Sequence, residues 1–361
     1  MATLPHYSEF EFDLWHYLAN SNKPIVMYGM GNGADKIISV FERYGIEVAD
    51  FFASDGFVRG QVFHNKTVLS FSAIKEKYNE FIVVVSFGSS LPDVLNNIYT
   101  IASNHELYAP DVPVSGETLF TLDFYKEHFG EFEKSYNLLC DEESKQIYAN
   151  IIRYKITGDI VHLRRAICDK GCEKEILDFD RYERFIDAGA YNGDTVRKFI
   201  LDCKNAKSAI ALEPDRRNWK KLCEYARHEQ KIKVFPFNRG AWNKYEKMEF
   251  SVCGNRNSAT GKQKRVKTEE VEMWPIDIME CHNIDYIKYD VEGAEKEAIL
   301  GSIKTIRANS PDLLISIYHR SEDLFVLPLL VNELFPEYSL YLRRFEYVPA
   351  WDINLYAIKR R

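Results

Sequence analysis

The chain has 361 residues, room for two domains of ordinary size, and its 46% apolar content is enough for packed cores. A formal net charge of −7 argues against nucleic acid or an anionic membrane surface as the main partner, since both call for a basic face. The apolar runs stop far short of the roughly 20 residues a membrane helix needs. The seven irregularly spaced cysteines contain no CxxC and read as free thiols, so a cytoplasmic location is expected.

In chain order, the first 22 or so residues read as a short amphipathic helix with Phe10, Leu14, Tyr17 and Leu18 at helical spacing. Residues 23–112 read as a small Rossmann-like domain. An apolar strand, Ile25 to Tyr28, enters a turn with Gly29, Gly31 and Gly33, and a helix follows from about Ala34 to Tyr44. Gly45 ends that helix, and a second strand from Glu47 to Phe52 leads to Asp55. A further strand, Phe81 to Phe87, precedes a helix beginning near Pro92. The glycine spacing is G-x-G-x-G, not G-x-G-x-x-G, which leaves three readings open: a site for a nucleotide or nucleotide-sugar, a site for a donor cofactor of separate chemistry, or a degenerate fold used for packing or partner binding. Residues 113–178 read as a helical connector, with polar-apolar helical patterning in DEESKQIYANIIRYKITGD.

From residue 179 to the end, strand-helix alternation resumes and predicts a mostly parallel sheet with helices on both faces, closed by two antiparallel strands near the C-terminus. Ligands of such sheets bind beyond the carboxyl ends of the strands. Four ends carry chemistry: Asp187-Ala188-Gly189-Ala190-Tyr191-Asn192-Gly193-Asp194, Glu213-Pro214-Asp215, Asp290-Val291-Glu292-Gly293 and Tyr318-His319. Glycines let backbone approach a ligand closely, and an acid such as Glu213 suits the hydroxyl pair of a ribose. An acidic loop without phosphate-binding character favours a cationic cofactor, S-adenosylmethionine, over NAD. The basic cluster Lys262, Lys264, Arg265 and Lys267 reads as a solvated loop and strand edge.

Taken in order over residues 180–330, FIDAGAYNGDT, ALEPD, FNRGAW, PIDIM, IDYIKYDVEGAEKEAILGS and ISIYHR closely resemble the FkbM-type methyltransferase family. The resemblance implies a class I methyltransferase fold and methyl transfer from S-adenosylmethionine. It also implies an acceptor hydroxyl on a sugar, glycan precursor or related natural product. On the matching positions, Asp187, Gly189, Tyr191, Gly193 and Asp194 would line the methionine part and Glu213 would bind the ribose. Asn238, Arg239, Gly240 and Ala241 would lie near the adenine, with Asp290 and Glu292 beside the transferred methyl. Tyr191 departs from the asparagine common at its position, and Asn238-Arg239-Gly240 is a variant of the usual small-residue turn.

A sugar hydroxyl is barely ionised at neutral pH and needs a base as it attacks. His319 is the first candidate and Asp290 the second; the competing readings are a structural histidine and acids that cap the following helix. No metal is expected, although Asp290 and Glu292 leave a divalent ion with a substrate diol open. Tyr191, Trp242 and Tyr318 are either core residues or an aromatic wall for a sugar. A noncatalytic nucleotide-sugar or protein-binding module that retains the fold is the alternative function. Oligomeric state is left open.

Overall fold

The computed structural model describes residues 3–169, 171–252 and 267–359. The N-terminal unit contains α1 (Leu14–Ala19), β1 (Ile25–Tyr28), α2 (Asn32–Tyr44), β2 (Val48–Ala53), β3 (Val62–Phe63), β4 (Lys66–Thr67), β5 (Leu69–Ser70), α3 (Phe71–Lys77), β6 (Ile82–Val85), α4 (Pro92–Asn104) and β7 (Glu106–Tyr108). Five of these strands form a parallel sheet in the order β5-β2-β1-β6-β7. Alternate side chains of β1 enter different cores. Val26 and Tyr28 join one cluster, and Ile25 and Met27 pack with α1 and α2 in another. The first helix is shorter than the periodicity suggests: Asp13 caps it through the His16 N–H, which leaves Phe10 outside. Gly45 ends α2 in the left-handed conformation, φ +67°, as its position predicts.

Four helices follow, α5 (Leu122–Glu127), α6 (Phe129–Leu138), α7 (Glu142–Thr157) and α8 (Ile160–Arg165). Phe120, Tyr125, Phe132, Ile151 and Ile152 share a single apolar cluster with Val26 and Val83 of the first sheet and Ile186, Ile287 and Leu313 of the next. The helices therefore lie between the two sheets, with apolar contact on both sides. A buried ion pair, Lys155 Nζ to Asp111 Oδ2 at 2.5 Å, ties α7 to the segment leaving β7.

The C-terminal unit contains β8 (Arg184–Ala188), α9 (Asp194–Asp202), β9 (Ser208–Leu212), α10 (Arg216–His228), β10 (Lys233–Phe237), β11 (Gly240–Ala241), β12 (Glu246–Val252), β13 (Lys267–Trp274), β14 (Tyr286–Tyr289), α11 (Glu295–Leu300), α12 (Ile303–Asn309), β15 (Asp312–Ser316), α13 (Asp323–Leu334), β16 (Tyr338–Arg344) and β17 (Ile353–Lys359). Its seven-stranded sheet runs β10-β9-β8-β14-β15-β17-β16. The first five strands are mutually parallel, and β17 is antiparallel to both β15 and β16. Strand order reverses between β8 and β14, so the crevice for a ligand opens beyond those two strand ends. Strands β11, β12 and β13 form a separate three-stranded sheet. Of the basic cluster, Lys262, Lys264 and Arg265 lie outside the described residues, as does the side chain of Lys267.

Candidate functional site

The donor half of the site is built by β8, β9 and the turns that follow them. Gly189 has φ +93°, and a β-carbon there would overlap the Asp290 carbonyl, so only glycine lets the ends of β8 and β14 meet. Tyr191, half exposed, also has a positive φ, +47°, and its N–H donates to Glu213 Oε2 at 2.7 Å. Glu213 Oε1 accepts the Asp215 N–H at 2.8 Å. Burial pushes the Glu213 carboxyl up to about 7, against the pull of those two backbone donors. Asn238 Nδ2 donates to the carbonyls of both Glu213 and Pro214 at 2.9 Å, which pins the turn after β9 to the end of β10.

The other expected cofactor contacts are placed less uniformly. Asp194 opens α9 on the exposed surface and accepts the N–H of the next residue, Thr195, at 2.9 Å. Gly193, φ +85°, packs beneath the Tyr225 ring. Asn238 and Arg239 line a cleft of about 710 Å³ with Pro214, Trp219 and Phe237. Arg239 turns toward Glu272, Nε to Oε2 3.0 Å, and stacks over Trp274. Gly240 and Ala241 are buried as β11 against β13, with Met273 where a Gly240 side chain would go, so neither lines the cleft. Trp242 continues that three-stranded sheet, its N–H donating to the Trp274 carbonyl.

Asp187 is 0% exposed, and neither carboxylate oxygen has a hydrogen-bond partner. Its nearest cation is Lys288 Nζ, 3.7 Å away, and burial raises its pKa to about 6 although Lys288 opposes the rise. It thus sits behind the turn and not on its surface. An orphaned buried carboxylate beneath a glycine turn fits a cofactor carrying ammonium and sulfonium groups, because added positive charge offsets its desolvation.

The second half lies at the ends of β14 and β15. Lys288 Nζ is 3.0 Å from Asp290 Oδ2. Burial pushes the Asp290 carboxyl up, but Lys288 and then His319 outweigh it, and its pKa ends below the ordinary value. His319 is 1% exposed, with Nδ1 2.9 Å from Glu295 Oε1 and Nε2 3.5 Å from Asp290 Oδ1 and 3.8 Å from Glu292 Oε2. Burial alone would lower the imidazole; the bond and charge of Glu295, followed by the charges of Asp290 and Glu292, raise it to about 9. Tyr318 donates its hydroxyl to Asp290 Oδ1 at 3.4 Å, and its ring lies tilted by 40° against that of His319, centroids 4.1 Å apart. Glu292 has φ +56° and a side chain 71% exposed, at the rim. Asp290, Glu295 and His319 place one ligand-type atom each within 4.8 Å of one another, a spacing a cation could use. The short Glu295–His319 contact makes them an ion-paired cluster as they stand.

Sequence reasoning missed Glu295, Lys288 and a strap over the second half. Ser115 N–H donates to the His319 carbonyl at 2.9 Å, Arg320 Nε to the Gly293 carbonyl at 2.8 Å, and Ser321 to the Thr118 carbonyl at 2.7 Å. Lys36 of α2 reaches the carbonyls of Pro113 and Val114 at 3.2 and 3.0 Å. Residues 113–118 therefore connect the helix after the first glycine turn to the His319 turn. In that glycine turn, Gly33 packs on the Ser86 carbonyl, whereas Gly31, φ +106°, faces open space. Asp55 falls beyond β2, in an exposed turn.

A seven-stranded sheet of this order, with a glycine turn and acids at the ends of its first two strands, defines a Rossmann-like methyltransferase fold. Residues 187–349 match the family model of the methyltransferase FkbM domain. The crystal structure of a methyltransferase FkbM from Methylobacillus flagellatus KT aligns over 99% of this chain and 94% of its own, with TM-score 0.73 and 18% identity, so the two share a fold. Fibrillarin from Aeropyrum pernix with natively bound S-adenosyl-L-methionine aligns over 50% of this chain and 69% of its own (12% identity, TM-score 0.34). An rRNA methylase from Streptococcus thermophilus aligns over 52% and 91% (13%, 0.33). No curated protein matches the chain by sequence. The family match and the fold together support a methyltransferase.

Proposed function

We propose that the chain is an S-adenosylmethionine-dependent O-methyltransferase acting on a hydroxyl of a sugar, glycan precursor or related natural product. The observation that carries this reading is the adjacency of two sets of groups: a donor-type turn with Asp187, Gly189 and Glu213, and His319 with Asp290 one and two strands away. Glu213 would hold the ribose hydroxyls, since each of its oxygens keeps a lone pair beyond the backbone bond it accepts. Asp187, Gly189 and Gly193 would hold the methionine end, and Asn238 and Arg239 the adenine. Bound S-adenosylmethionine would supply an electrophilic methyl on its sulfonium, with S-adenosylhomocysteine as the leaving group. The chain's own part is to orient the acceptor hydroxyl and take its proton, at His319 Nε2, with Asp290 holding the complementary charge. No helix among the described residues is long and apolar enough to cross a membrane.

The test is transfer of labelled methyl from S-adenosylmethionine to sugars, nucleotide-sugars and glycan precursors, with S-adenosylhomocysteine measured as co-product. Labelled product with stable oxygen-linked methyl supports the reading. Tight cofactor binding with no transfer to any of these would favour a binding module instead. The open face of Gly31 favours a second role for the first glycine turn, as a contact for a nucleotide or nucleotide-sugar acceptor.

A further inference from the structure

A histidine has two ring nitrogens, and the partner of one decides what the other can do. In this chain Nδ1 of His319 lies 2.9 Å from Glu295 Oε1, while Nε2 lies 3.5 Å from Asp290 Oδ1 and 3.8 Å from Glu292 Oε2. Glu295 is itself 1% exposed, and its Oε1 accepts the N–H of Val291 at 2.8 Å and of Gly293 at 3.4 Å. The carboxylate is thus fastened to the turn that also presents Asp290. Two backbone N–H groups offset only part of the cost of burying that carboxylate, whose Oε2 has no hydrogen-bond partner, and the His319 ring is the titratable group beside it.

Resting on the base reading above, we infer that Glu295 is a positioning residue. Its buried carboxylate, 2.9 Å from Nδ1 of His319, favours a proton on that nitrogen by its charge and leaves Nε2, the nitrogen facing Asp290 and Glu292, to take the acceptor's proton. The proton moves from the acceptor oxygen to Nε2. The charged groups facing His319 are Glu295 on α11, Asp290 and Glu292 in the turn after β14, and Asp323 at the start of α13, with Lys288 and Arg320 as the neighbouring cations. Among these acids Glu295 comes nearest the ring, 2.9 Å against 3.5 Å for Asp290, so removing its charge tests its contribution.

The experiment is nitrogen-15 NMR of the His319 ring in the full-length protein, wild type against Glu295→Gln, without any acceptor. The wild type is expected to show the Nδ1–H tautomer once neutral. Glu295→Gln is expected to lower the ring's titration midpoint by at least tenfold in proton affinity and to mix the tautomers. S-adenosylhomocysteine affinity should stay within about twofold. An unchanged midpoint and tautomer would overturn the proposal. If Glu295→Gln does not fold, Glu295→Asp decides: a lowered midpoint with a weakened Nδ1–H signal supports the role, and an identical spectrum overturns it. Methyl transfer by His319→Ala separates the two readings. Full activity there removes the base assignment, whereas lost activity with an unmoved Glu295→Gln spectrum removes only the positioning role.

Discussion

Gly189 and Asp290 occupy the same space at the switch point: the carbonyl of Asp290 stands where the β-carbon of any other residue at 189 would be. Gly189 also holds φ +93°, which costs a residue with a side chain about 1–3 kcal/mol before any clash. Gly189→Ala is therefore expected to lower the midpoint of thermal unfolding by several degrees and to abolish S-adenosylhomocysteine binding. Differential scanning calorimetry and a ligand titration of the same sample check both.

The stability of the ligand-free protein should fall as pH rises from 6.5 to 9. His319, raised to about 9, contributes stability that is complete below its unfolded value of 6.5 and lost as pH climbs through 9. Glu213 and Asp323, raised by burial to about 7, act in the same direction up to that pH, because the native state holds their protons more tightly than the unfolded chain. His105 and His162, lowered by burial, pull the other way only below about 6.5. Thermal unfolding midpoints at pH 6.5, 7.5 and 9 test this, and His319→Gln should flatten the slope above pH 7.

His319→Ala should cut turnover by about 10²–10⁴-fold, the usual worth of a general base, with S-adenosylhomocysteine affinity within about twofold of wild type. In the wild type, kcat/KM should rise with pH toward about 9, since the imidazole must lose its proton before it can accept another. A profile flat from pH 6.5 to 9.5 would move the base role to Asp290.

What the sequence made legible follows from local pattern. The strand Ile25–Tyr28 is bounded by Pro24 and Gly29 and was readable to the residue. The acids at 187, 213 and 290 and the histidine at 319 were legible as strand-end positions, because apolar runs of strand length stop just before or at them. Strands β3, β4 and β5 have two residues each and β7 three, too short for any periodicity, and all went unread. Glu295 was invisible as a partner of His319. In sequence it is an ordinary first-turn acid of a helix, and only the parallel pairing of β14 with β15 brings it against a side chain 24 positions away. The burial of Asp187 and the insertion of Gly240 and Ala241 into a second sheet are likewise tertiary outcomes.

Lys155 and Asp111 are both almost wholly buried, and each is the other's compensation. Lys155→Met should cost about 3–5 kcal/mol, because it strands a carboxylate between the first sheet and the connector helices. Adding Asp111→Leu should recover much of that loss. Chemical denaturation of Lys155→Met, Asp111→Leu and the double variant beside wild type measures the coupling.

The most direct test of the central claim is a calorimetric titration of wild type and Glu213→Ala with S-adenosylhomocysteine. The expected result is one site per chain with micromolar affinity in the wild type, weakened by at least tenfold in Glu213→Ala. Absence of binding at millimolar ligand, or equal affinity in the two proteins, would contradict a cofactor site built on the ends of β8 and β9.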